Sequence, residues 1–140
     1  MVEQMNPDMI ISRLFDEVVN QGRVEVTSEL YASNFIDHAP GLDQLPGPGG
    51  IVQVVKQYRS AIPDLKVTVE DVVVSLNRVA TRETWHGTHM NELVGVPATM
   101  KRFTATRMHI FRIEDGLIVE EWSAGSIIDA LRNAAGGYST

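Results

Sequence analysis

Apolar residues change their period once along the chain, from helical spacing up to Ile62 to alternation from Leu65 onward. Asn6-Pro7-Asp8 offers a capping side chain, a proline suited to the first helical position and an acid in the first turn. Ile10, Ile11, Leu14, Phe15, Val18 and Val19 follow at three- and four-residue spacing, which predicts a helix that Gly22 ends. A shorter helix is expected from Arg23 to about Tyr31, with Val26, Leu30 and Tyr31 on its apolar side, before Phe35-Ile36 turns the chain extended. Between Ala39 and Gly50 the density of proline and glycine marks a loop. Beyond it Ile51, Val54, Val55, Tyr58 and Ile62 form the stripe of a third helix, which Pro63 terminates.

After Leu65 the pattern is that of strands. Val67, Val69 and Val73 alternate with Lys66, Thr68 and Glu70, a turn falls at Leu76-Asn77, and Arg78 to about Thr88 returns as the second arm of a hairpin. Residues 101–113 alternate again, Asp115-Gly116 is the strongest hairpin signal in the chain, and Leu117 to about Ala124 is the last strand. Ile127, Ile128 and Leu131 suggest a closing helical turn, and Gly136 to Thr140 reads as a loose tail. Helices gathered before a mostly antiparallel sheet predict an α+β layer fold whose sheet covers its apolar face with those helices. If the sheet curls, a pocket opens between the layers. A chain of 140 residues with no repeat and no long linker is expected to make one domain, 1–140.

Composition narrows the partners. Eighteen acidic residues against twelve basic leave a net charge of −6 with no basic cluster, which argues against nucleic acid and anionic membrane. Every apolar run is far shorter than the ~20 residues of a membrane helix. Met1-Val2-Glu3-Gln4 lacks the basic start of a secretory signal, and without cysteine neither disulfides nor thiolate chemistry is available, so a cytoplasmic setting is expected.

Strand parity sorts the candidate chemistry into faces. Phe103, Ala105, Arg107, His109 and Phe111 share one side of their strand, and Glu121 and Ser123 share a side of the next, opposite Glu120 and Trp122. The Asp115-Gly116 turn joins the two strands, so His109 can lie near Glu121 or Ser123. An imidazole and a carboxylate facing an apolar pocket would form a general acid/base pair, although a strand histidine is often only a hydrogen-bonded core residue. Parity alone does not choose between Glu120 and Glu121. His86 and His89 lie three apart, on opposite faces of a strand, so no metal site is expected, although His38, His89 and His109 can converge in ways spacing does not reveal. No Gly-x-Ser-x-Gly elbow is present, and Pro48 interrupts the one glycine-rich run where a phosphate cradle needs free N–H groups.

Five segments in order carry a resemblance: Phe35-Ile36-Asp37-His38-Ala39-Pro40, Ala61-Ile62-Pro63-Asp64-Leu65, Gly87-Thr88-His89, Gly95-Val96-Pro97-Ala98-Thr99, and His109 to Gly116 continuing through Glu120-Glu121-Trp122. In them the chain resembles the SnoaL-like polyketide cyclase family of the nuclear-transport-factor-2-like superfamily. The resemblance implies a cone-shaped α+β barrel, a curved, mostly antiparallel sheet wrapped around three N-terminal helices, with a deep pocket and a homodimer formed through the sheet. It implies an intramolecular aldol cyclisation of a hydrophobic polyketide-type substrate with no metal or organic cofactor.

Residue by residue, the family's inward histidine corresponds to His109, its polar residue after the first strand's aromatic to Asp37, and its Gly-Thr-His histidine to His89. Its catalytic aspartate, seven residues beyond the hairpin glycine, falls on Ser123, so Glu121 is the expected replacement. Arg107 stands where glycine is usual in the family, as do Asn91 and Met100. The expectation is therefore an acid/base cyclase or isomerase with His109 and Glu121 catalytic, and with Asp37, His38, Glu83, Trp85, His89, Arg107, Phe111 and Ser123 around the substrate. The alternatives are a hydroxylase acting with a partner reductase, which the loss of the aspartate would permit, and a non-catalytic small-molecule-binding module.

Overall fold

The computed structural model describes residues 5–134. Helix α1 (Pro7–Arg13) starts at the proline as expected and continues as a π-helical segment, Leu14–Asn20. This helix buries Ile10, Ile11, Leu14, Phe15, Val18 and Val19. Asn20 fixes its end to the sheet: its Oδ1 accepts from the Val67 N–H at 2.7 Å and its Nδ2 donates to the Val67 carbonyl at 2.9 Å.

The second helix is shorter than its periodicity suggests. A 3-10 turn, Val24–Val26, runs into the single helical turn α2 (Thr27–Leu30), and Tyr31 belongs instead to strand β1 (Tyr31–Asp37). Tyr31 is extended because its backbone pairs with the last strand, a long-range partner that local spacing does not reveal. Helix α3 (Pro48–Ala61) begins three residues ahead of its first apolar position, using Pro48 at its start, and the chain leaves it before Pro63.

Strands β2 (Lys66–Ser75), β3 (Arg78–Thr88), β4 (Arg102–Glu114) and β5 (Leu117–Ala124) follow, and helix α4 (Ile127–Ala134) closes the described chain. The tail from Gly136 lies outside the described residues. The sheet order is β1-β5-β4-β3-β2, antiparallel throughout except for the parallel β1–β5 pair. It is open, with β1 and β2 as edges, and it is the mixed sheet of an α+β cone. No helix among the described residues is long and apolar enough to cross a membrane.

One face of the sheet turns to the helices. Phe103, Ala105, His109 and Phe111 on β4, with Val79, Glu83 and Trp85 on β3, are buried on this face, where Phe15 packs its edge on His109 and Phe111 and Tyr58 meets Trp85, while Thr104, Met108 and Ile110 of β4 stay exposed on the other face. The site sits between these layers, where α3 and the 38–47 loop arch over β4 and β5.

Candidate active site

Register sets the site. Thr81, His109 and Ser123 are directly opposed across β3, β4 and β5, as are Val79, Phe111 and Glu121 one pleat further on. His109 and Glu121 are thus diagonal neighbours on one face. His109 Nε2 stands 4.0 Å from Glu121 Oε2, too long for a hydrogen bond and short enough for both groups to reach the same part of a substrate.

Behind His109 lies Glu83, fully buried. Its Oε1 meets His109 Nδ1 at 2.8 Å and accepts from Trp85 Nε1 at 3.1 Å, while its Oε2 accepts from Thr81 Oγ1 at 2.6 Å. A carboxylate that accepts on both oxygens makes Nδ1 the donor, which leaves Nε2 aimed at Glu121. The imidazole is held by stacking on Phe111, at 5.2 Å and 5° between planes, and by the edge of Phe15 at 5.8 Å.

Glu121 is 6% exposed, so its charge has little water to stabilise it. Burial pushes its carboxyl up to about 7, and Asp37 adds repulsion. His109, the Tyr31 hydroxyl and Arg107 act in the opposite direction. Tyr31 donates to Glu121 Oε1 at 3.0 Å, and burial holds its phenol well above the usual range, so it stays a donor.

A cavity of about 260 Å³ opens onto this pair, lined by Asp37, Gln44, Ile51, Val54, Tyr58, Arg107, His109, Glu121 and Ser123 among others. A more apolar recess of about 60 Å³ extends inward past Phe15, Tyr31 and Trp85. Asp37 is positioned at the rim, where its Oδ1 accepts from the Ala39 N–H at 2.9 Å and its Oδ2 from Gln44 Nε2 at 2.9 Å.

Of the residues singled out in the sequence, His109, Glu121, Asp37, Arg107 and Ser123 line the main cavity and Trp85 the inner recess. Four lie elsewhere. Glu83 and Phe111 stand behind His109 and reach neither space. His38 is on the outer face, with Nε2 at 2.7 Å from Glu120 and its ring stacked on Trp122 at 4.7 Å. His89 is buried at the far end of β3, where its Nδ1 accepts from the Thr99 N–H at 3.2 Å. Glu120, the outward member of the glutamate pair, is held below the usual carboxylate range by His38 first and then by Arg112.

Tyr31, Gln44 and Tyr58 were not anticipated. The signal for Tyr31 would have been the parallel β1–β5 pairing, which no short-range pattern contains.

An open α+β cone with paired acid and imidazole in an apolar cavity is the setting in which the comparisons fall. The model of the SnoaL-like polyketide cyclase family matches residues 9–133, and the chain belongs to that family. Aklanonic acid methyl ester cyclase DauD of Streptomyces sp. (strain C5) is 27% identical over 121 residues, which cover 81% of this chain and 73% of DauD. Among solved structures, IdmH of Streptomyces antibioticus superposes with a TM-score of 0.80 at 31% identity, over 94% of this chain and 99% of IdmH. TsrD of Streptomyces laurentii shares the fold at a TM-score of 0.85 and 22% identity, over 99% and 100% of the two chains.

Proposed function

We propose that the chain is an acid/base cyclase that closes a ring in a hydrophobic polyketide-type substrate by intramolecular aldol addition. The observation that carries this reading is the line Glu83–His109–Glu121, ending in an apolar cavity with a carboxyl of pKa about 7. A methylene between two carbonyls is already acidic, so a positioned base, an acid and a cavity that folds the chain suffice, with no cofactor. Glu121 is the base, since a carboxylate raised toward neutrality takes a carbon-bound proton better than an ordinary one. The enolate carbon then attacks the second carbonyl, and the new alkoxide takes a proton from His109 Nε2. The buried Glu83 carboxylate stabilises the imidazolium that this step requires. The proton on Glu121 crosses the short gap to His109 and resets the pair, so that one hydrogen has moved from carbon to oxygen. The paired carboxyl and imidazole at the cavity wall, with Glu83 behind them, support an enzyme over a silent binding module.

The test is hydrogen–deuterium exchange at the active methylene of an aromatic β-keto ester, followed by NMR, with ring closure followed in parallel. Glu121→Gln is expected to slow both exchange and ring closure by about a hundredfold, and His109→Ala to slow ring closure by about as much. If both proteins fold, Glu121→Gln exchanges at the parent rate and His109→Ala closes the ring at the parent rate, the proposal is wrong.

The outer face of the sheet supports a homodimer. Val73, Ala80, Ile110 and Trp122 share one row across β2, β3, β4 and β5, and Val73 and Ile110 are exposed.

A further inference from the structure

We propose that Arg107 anchors a carboxylate of the substrate, so that this cavity takes a free acid; the inference rests on the cyclase reading only in placing the substrate in that cavity. Arg107 is directly opposite Glu83 across β3 and β4, yet Glu83 is committed to His109, Thr81 and Trp85. The guanidinium instead donates from Nε to the Gly125 carbonyl at 3.2 Å, reaches Ser123 Oγ from Nη2 at 3.5 Å, and packs over the Trp85 ring at 5.0 Å. All three partners are neutral. Among the described residues Arg107 makes no ion pair within 4.0 Å, although it lines both the cavity and its inner recess.

A half-buried guanidinium offers five N–H groups in a planar fork, and only two are used here. The nearby Glu121 does not pair with it, because its two oxygens are turned to the Tyr31 hydroxyl and to His109. A carboxylate is a planar anion that matches the fork. The fork is also held in place. Gly125 has φ of +102°, and a Cβ there would meet the Thr106 carbonyl at 2.4 Å and the Arg107 Cα at 3.0 Å, so the carbonyl that fixes Nε depends on glycine. The anchored acid is not the group that activates the methylene, because a carboxylate beside that carbon opposes enolate formation; it belongs elsewhere on the substrate.

The probe pair is 2-naphthoate and methyl 2-naphthoate, titrated calorimetrically into the whole protein. The parent is expected to bind the acid at least about tenfold more tightly than the ester. In Arg107→Gln the two affinities should come within about threefold of each other. Ser123→Asp, which places a carboxylate beside Nη2 while keeping the cation, should do the same, and Arg107→Lys should retain part of the preference. No binding of the acid, an ester bound as well as the acid by the parent, or an unchanged ratio in Arg107→Gln and Ser123→Asp would each overturn the assignment. Exchange at the β-keto ester methylene does not depend on this outcome, so either idea can fail alone.

Discussion

Glu121 is asked to be reactive and to be buried, and the two demands meet in its protonation. An unfolded chain releases this proton near 4.5, whereas the folded protein holds it to about 7. The folded state therefore binds the proton more tightly. The associated stability is fully present below pH 4.5 and is lost as pH rises through about 7, a difference on the order of 3 kcal/mol. Urea unfolding at about pH 5 and about pH 8 should show the parent weakening relative to Glu121→Gln, which lacks the group, and parallel behaviour of the two would contradict the burial argument. Glu83 acts through His109 as a positioning residue. Glu83→Gln should lower kcat by about ten- to a hundredfold with KM little changed and should displace the pH profile, whereas a purely structural role would lower stability and leave that profile in place. Strand parity was enough to group Arg107, His109 and Phe111 on one side of β4. It did not separate Glu120 from Glu121, nor place Glu83 behind the histidine, because those choices depend on which face the helices cover and on how a side chain turns within it.

At the scale of elements, the cavity is shaped by α3 and the 38–47 loop. Gly50 in the first turn of α3 packs so closely that a Cβ would fall 2.0 Å from the Leu45 carbonyl. Gly50→Ala must push the loop and helix apart. It should cost about 1–3 kcal/mol in urea unfolding and should weaken naphthoate binding, since Ile51, Val54 and Tyr58 on the same helix line the cavity. Unchanged stability would mean the loop yields freely. The hairpins were legible because their turns are local: Leu76-Asn77 and Asp115-Gly116 lie between the strands they connect, and Leu76, Asp115 and Gly116 all adopt positive φ. The pairing of β1 with β5 joins segments at opposite ends of the chain, and a one-turn α2 has too few residues to set a period, so both escaped the pattern.

At the scale of the whole molecule, the described residues expose an apolar surface on the outer face of the sheet. On the outer face the row Val73, Ala80, Ile110 and Trp122 is continued by Met108 one pleat along, and at its margin His38 and Arg78 flank the Trp122 ring, stacked at 4.7 Å and at 5.3 Å from its centroid. An apolar centre with charged margins suits a self-complementary interface about a two-fold axis, for which each partner would cover about 800 Å². Ile110 stands in the middle of the row and points away from the cavity, so its replacement separates assembly from chemistry. Ile110→Lys is expected to turn the proposed dimer into a monomer by light scattering while leaving naphthoate affinity and methylene exchange at parent levels. A parent protein that is monomeric at tens of micromolar would remove the dimer. Loss of binding in a folded Ile110→Lys monomer would show instead that the two faces of the sheet are coupled, because this side chain contributes nothing to the cavity wall.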